Sequence, residues 1–111
     1  MRVLFVCRLN RRRSATAERL FAKDPGLEVR SAGTREDALV RVNERMLEWA
    51  EVIFTMDDGQ RAALELMFPA HPALGKIVCL DIADIYAFLD PELVALLRER
   101  TAAHLVGRAG G

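Results

Sequence analysis

The residues Cys7-Arg8-Leu9-Asn10-Arg11-Arg12-Arg13-Ser14 follow directly on the apolar run Val3-Leu4-Phe5-Val6. Their types and order describe a thiol nucleophile set in a phosphate cradle. A strand ending at Cys7, followed by a tight loop that opens a helix near Ser14, aims backbone N–H groups and a positive helix end at one point. Such a field favours thiolate over thiol, and a thiolate is a good nucleophile toward phosphorus. Arg13, six positions after Cys7, can fold back and hold two phosphate oxygens with its planar fork, which a lysine cannot do. Ser14 can donate to the Cys7 sulfur or cap the helix, and the sequence leaves both roles open. Asn10 tolerates positive φ and suits the turn. Arg8, Leu9, Arg11 and Arg12 complete the loop that would surround a bound phosphate.

The elements that must position this loop follow from periodicity. Short apolar runs alternate with helical patterns, which argues for an α/β fold with a parallel sheet and right-handed crossover helices. Four strands are expected near Arg2 to Cys7, Leu27 to Ser31, Glu51 to Met56 and Lys76 to Leu80. Helices are expected near Ser14 to Ala22, Val42 to Ala50, Asp58 to Phe68 and Pro91 to Leu105. In open sheets of this kind ligands bind beyond the carboxyl ends of the strands, where the strand order reverses. Cys7, Ser31 and Asp84 are expected after strand ends, which puts a nucleophile, a supporting hydroxyl and a carboxylate on one rim.

Three carboxylates compete as proton donor. Asp90 precedes Pro91 and an apolar-periodic stretch, so it reads as a helix cap. Asp81 ends the fourth strand and can simply turn the chain. Asp84 lies in the loop proper. Other chemistry-bearing residues read as structural: Cys79 as a small core residue in Ile77-Val78-Cys79-Leu80, Trp49 as a helix residue packing on the sheet, and His71 and His104 as surface residues lacking metal-ligand spacing.

The Cys-x5-Arg-Ser spacing resembles the phosphate-binding signature of protein tyrosine phosphatases, and its place near the start resembles the low-molecular-weight class. The stretch Val3 to Glu18 is similar to that family's opening. Ser31-Ala32-Gly33-Thr34 resembles the segment after its second strand, Ala50 to Asp57 its third strand and acidic turn, and Ile82-Ala83-Asp84-Ile85-Tyr86 its general-acid loop. The resemblance implies a three-layer sandwich with a four-stranded parallel sheet, and metal-free hydrolysis of a phosphate monoester without any cofactor. It implies Cys7 as nucleophile, Arg13 as phosphate clamp and Asp84 as acid and then base. Tyr86 becomes the candidate for stacking on an aryl substrate, and the expected partner is a phosphotyrosine protein or a small phosphate ester.

This sequence also departs from the family. Ile85 stands where a proline is usual, the region between Thr34 and Ala50 is shorter, and Arg12 occupies the place of a frequent second cysteine. A related arsenate reductase would need further thiols, and only Cys79 is offered. A phosphate-binding module without catalysis is the alternative of a different class.

Composition bounds the rest. A chain of 111 residues is expected to form one domain over 1–111. No signal-peptide pattern or apolar run of membrane-spanning length is present, and two cysteines fit a reducing compartment, so a cytoplasmic protein is expected. Net charge is zero, yet residues 1–30 hold eight basic and three acidic groups. The cradle end is therefore the positive end and would draw in a phosphorylated ligand. Binding of a nucleic-acid backbone is disfavoured because aromatics are only 6% of the chain and none lies among these arginines. The tail from Gly107 to Gly111 is expected to fray.

Overall fold

Strand β1 (Arg2–Cys7) is apolar at consecutive positions, and the fold buries it on both faces. The computed structural model describes residues 1–109, with side chains described as far as Leu105. Val3, Phe5 and Cys7 face one core cluster, while Leu4 and Val6 face another. After β1 come α1 (Arg13–Phe21), β2 (Glu28–Gly33), α2 (Glu44–Trp49), β3 (Val52–Thr55), α3 (Asp58–Met67), a 3-10 turn at Pro72–Lys76, β4 (Ile77–Cys79) and α4 (Pro91–Ala109). The four strands form one parallel sheet in the order β2-β1-β3-β4.

The two cores make the layers. On one face Phe5 stacks between Phe21 of α1 and Phe54 of β3, with ring centroids 5.6 and 5.3 Å apart. Leu93, Leu97 and Leu105 of α4 close that side. On the other face Leu47 of α2 and Leu64 of α3 cover Leu4, Val6 and Ile53. Because β1 leads outward to β2 and the chain then returns past it to β3, the strand order reverses between β1 and β3. The loop after Cys7 opens at that reversal.

Several boundaries differ from expectation. β2 continues to Gly33, so Ser31 lies within the strand, paired with Phe5, and not beyond its end. The extension is held by Val40 and Val42: Gly33 N–H donates to Val40 O at 2.8 Å and Val42 N–H to Gly33 O at 2.9 Å. β4 is trimmed to three residues by the 3-10 turn, whose Ala73 N–H is capped by His71 Nδ1 at 3.0 Å. Cys79 is half-buried, not a full core residue, since β4 is the sheet's edge. Helix α4 runs on to Ala109, past the expected end at Leu105, and Gly110 and Gly111 of the expected frayed tail lie outside the described residues. Trp49 does end α2 and packs on the sheet side, with the Arg30 guanidinium 4.4 Å from its ring. No helix among the described residues is long and apolar enough to cross a membrane.

Candidate active site

Cys7 is the last residue of β1 and is 3% exposed. Its sulfur receives the Asn10 N–H at 3.2 Å and lies 2.9 Å from Ser14 Oγ. The loop between them turns at Asn10, whose φ of 58° is the left-handed conformation that asparagine tolerates. Helix α1 starts at Arg13 and has no side-chain cap, so Ser14 is not the cap that one reading allowed. Its hydroxyl is instead committed to the nucleophile's surroundings.

The loop leaves its amides open. Among the described residues, the backbone N–H groups of Arg8, Leu9, Arg11 and Arg12 have no hydrogen-bond partner, beside an uncapped helix end. That is the donor array an anion needs. The segment after β2 straps the loop from behind. Thr34 N–H donates to Cys7 O, Arg35 N–H to Arg8 O and Leu39 N–H to Leu9 O, at 3.1, 3.1 and 3.0 Å. A glycine at 33 is required by this close approach, since a Cβ there would stand 2.6 Å from Arg8 O.

Arg13 is 2% exposed, a charge that has to be paired. Its Nη1 donates to Asp57 Oδ2 and to Ile82 O, both at 2.8 Å. Its Nε is buried without a hydrogen-bond partner, with Asp84 Oδ1 3.6 Å away. A buried donor left unpaired costs about 1–3 kcal/mol, which a bound anion would recover. Asp57 also caps α3, taking the Gly59 N–H at 2.8 Å in a capping box with Gln60. Burial pushes its carboxyl upward, but the bonds from Arg13 and Gly59 outweigh this and hold it below the ordinary carboxylate range.

Cys7, Arg8, Leu9, Arg11, Arg12, Arg13 and Asp84 line a cavity of about 160 Å³. Asp84 thus shares the cavity with the sulfur, in a loop held on both sides without the family's proline. Ile82 N–H donates to Met56 O at 2.7 Å, Arg100 donates to Leu80 O and Asp81 O at 2.8 Å, and Leu89 N–H donates to Thr16 Oγ1 at 2.9 Å. The rival carboxylates are elsewhere. Asp81 sits at φ 55° just after β4, and Asp90 takes the Glu92 N–H at 2.9 Å at the start of α4. Neither lines the cavity.

Tyr86 does not line it either. It packs half-buried against the core cluster that includes Leu93 and Leu97 of α4, so the residue expected to stack on an aryl group is not part of the cavity wall. Besides Cys7 and Asp84 the cavity wall is arginine and Leu9, with no aromatic ring.

Behind the loop lies a hydrogen-bonded chain that sequence reasoning missed in part. Asn10 Nδ2 donates to Ser14 Oγ at 2.8 Å and to Ser31 Oγ at 2.9 Å, and the Ser31 hydroxyl donates to Glu18 Oε1. The unused signal was spacing, because Ser14 and Glu18 are four apart on α1 and so share a face. Asp57 was missed as the partner of Arg13, although Asp57-Asp58-Gly59-Gln60 carries a capping-box pattern.

One possible cation cluster is excluded by its own hydrogen bonds. Glu44, Glu48 and His71 bring three ligand-type atoms within 4.8 Å of one another. His71 Nδ1 accepts from Ala73, so the imidazole proton sits on Nε2, facing Glu44 Oε1 at 3.5 Å and Glu48 Oε2 at 3.8 Å. A metal on Nε2 would have to move that proton to Nδ1 and break the turn's cap. His71 is therefore a half-buried residue that accepts from the turn with Nδ1 and faces two carboxylates with Nε2, and not an isolated surface one.

No family model and no curated protein matches the chain by sequence. Solved structures match it over nearly its whole length. The YwlE arginine phosphatase from Geobacillus stearothermophilus is 25% identical, with a TM-score of 0.74 over 96% of this chain and 93% of that one. A low-molecular-weight phosphotyrosine phosphatase from Vibrio cholerae O395 is also 25% identical, with a TM-score of 0.71 over 96% and 95%. A YwlE C7S mutant with a phosphorylated active-site serine is 20% identical, with a TM-score of 0.73 over 97% of each chain. The fold is that of the low-molecular-weight protein tyrosine phosphatases.

Proposed function

We propose that this chain, built on the low-molecular-weight phosphatase fold, hydrolyses phosphorylated protein side chains through a cysteinyl-phosphate intermediate, with phosphotyrosine as the substrate. One arrangement carries the reading: the Cys7 sulfur lies in an arginine-lined cavity with Asp84 on its wall and a buried Arg13 Nε that lacks a hydrogen-bond partner. A module that only held phosphate would need the arginine and the amides but not the thiol.

The chemistry follows from these atoms. Cys7 thiolate attacks phosphorus, forming an S–P bond as the ester P–O bond breaks. Open loop amides and Arg13 Nε carry the charge on the equatorial oxygens. The Asp84 carboxyl gives its proton to the leaving oxygen. Water then attacks phosphorus, Asp84 takes the water's proton, the S–P bond breaks, and inorganic phosphate leaves. The Ser14 hydroxyl steadies the departing thiolate from 2.9 Å. Proton transfer of this kind contributes about 10² to 10⁴ in rate. Arg13 and the amides supply the positive charge, so no metal is required.

The likeness to an arginine phosphatase gives phosphoarginine as a second reading. The cavity wall opposes it. A guanidinium leaving group would depart past Arg8, Arg11 and Arg12, like charges that make no ion pair of their own among the described residues. The neutral ring of phosphotyrosine meets no such repulsion.

The test is hydrolysis of an aryl phosphate with chelator present, from about pH 5 to about pH 8, alongside matched phosphotyrosine and phosphoarginine peptides. Turnover of the aryl ester and of the phosphotyrosine peptide, abolished in Cys7→Ser, is the expected result. Preference for the phosphoarginine peptide would transfer the substrate assignment. No turnover with phosphate still bound would reduce the protein to a binding module.

A further inference from the structure

The hydrogen bonds behind the loop form one continuous line from the nucleophile to a carboxylate on α1: Cys7, Ser14, Asn10, Ser31 and Glu18. We propose that Glu18 is a positioning residue, which fixes the direction of every hydrogen in this line and so turns the Ser14 hydroxyl toward the Cys7 sulfur. The proposal rests on Cys7 being the nucleophile.

The argument is a count of donors and acceptors. A carboxylate has only lone pairs to offer, so the Ser31 hydroxyl must point its single hydrogen at Glu18. Ser31 Oγ can then only accept from Asn10, which requires the Asn10 amide nitrogen, not its oxygen, to face it. The same nitrogen spends its second hydrogen on Ser14 Oγ. Ser14 therefore accepts there, and its own hydrogen is left for Sγ at 2.9 Å, the only other acceptor among the described residues being Ala32 O at a weaker 3.4 Å.

Without an acceptor at position 18 the line is degenerate. The Asn10 amide can flip, both serines can donate to its oxygen, and the hydrogen that stabilises the thiolate is lost. Glu18 and Ser31 border an open cavity, so water can reach Ser31 in such a variant, but a water donates as readily as it accepts and does not fix the direction of the line.

The sign of the effect separates this account from simple electrostatics. By Coulomb's law a nearby negative charge disfavours a thiolate, so removing Glu18 should make Cys7 more reactive. Orientation through the line demands the reverse. The cations Arg8, Arg11, Arg12 and Arg13 and the carboxylate Asp84 surround the sulfur and stay unchanged in every variant.

The experiment measures the pH profile of Cys7 alkylation by iodoacetamide in the intact chain, for wild type, Glu18→Ala and Glu18→Gln, with circular dichroism as the check on folding. It needs no turnover, so it fails or succeeds independently of the substrate assignment. Glu18→Ala is expected to lower the alkylation rate near pH 6 about tenfold, and Glu18→Gln, whose amide oxygen can still accept from Ser31, to stay within about twofold of wild type. Should Glu18→Ala not fold, Ser31→Ala decides, because it cuts the line while the Glu18 charge stays: a rate lowered about tenfold is expected, and an unchanged or raised rate overturns the proposal. Both variants faster than wild type, both unchanged, or both equally slowed would overturn the proposal.

Discussion

Arg13 Nη1 donates to Asp57 Oδ2 at 2.8 Å and so ties the exit of the Cys7 loop to the cap of α3. One carboxylate thus ends a helix with one oxygen and holds the phosphate clamp with the other. Asp57→Asn removes the charge opposite a buried guanidinium and should lower stability by about 1–2 kcal/mol, since the aspartate itself is partly in water. Thermal melting should show a fall of several degrees.

The same pair fixes an acid limit. The carboxyl of Asp57 is depressed in the folded state, so the unfolded chain binds its proton first as pH falls. Its contribution is complete above the ordinary carboxylate value of about 3.9 and is lost as pH drops through the lower folded value. Melting temperature against pH should fall below about pH 4 in wild type, and fall less in Asp57→Asn.

Arg13→Lys tests geometry against charge. A lysine ammonium is a point charge and cannot bond Asp57 and Ile82 with one nitrogen while presenting another to the phosphate. Turnover, as kcat/KM, is expected to fall by about 10² to 10³ with the fold retained. A variant within a few-fold of wild type would show that the fork is not used.

Gly33→Ala should loosen the loop from behind. Its Cβ would meet Arg8 O and Ala38 Cβ, each at 2.6 Å, and backbone cannot yield cheaply. Stability should drop by about 1–3 kcal/mol, as overpacking does. Phosphate affinity measured by titration should drop with it.

Much of this arrangement was legible in the sequence where one local rule decides the outcome. The run from Val3 to Val6 reads as a short strand, and Cys7, Arg13 and Ser14 are placed by the loop that must follow. What failed depended on distant chain. Ser31 falls inside β2 because Val40 and Val42 return to extend the strand, and no pattern around Ser31 reports that. Tyr86 packs on the core cluster to which Leu93 and Leu97 of α4 belong, residues its own loop does not contain. Glu18 and Asp57 read locally as a helix carboxylate and a cap, and only the fold brings them to Ser31 and Arg13.

The arginines of the mouth make substrate capture sensitive to salt. Arg8, Arg11 and Arg12 are exposed, and Arg11 already helps Arg35, whose hydrogen bond is the main cause, to hold the Asp37 carboxyl below its usual range. Between about 0.01 and 1 M ionic strength the screening length falls from about 30 to 3 Å. The kcat/KM for a phosphate ester should fall across that range, and less steeply in Arg11→Ala and Arg12→Ala.

The most direct test of the account is to look for phosphate on Cys7 itself. An aryl phosphate is mixed with the Asp84→Ala variant, the reaction is quenched during turnover, and the peptide carrying Cys7 is read by mass spectrometry. The account predicts a phosphoryl group on that peptide, present during turnover and gone when substrate is exhausted, with turnover abolished in Cys7→Ser. Turnover with Cys7 never phosphorylated, and surviving in Cys7→Ser, would contradict it.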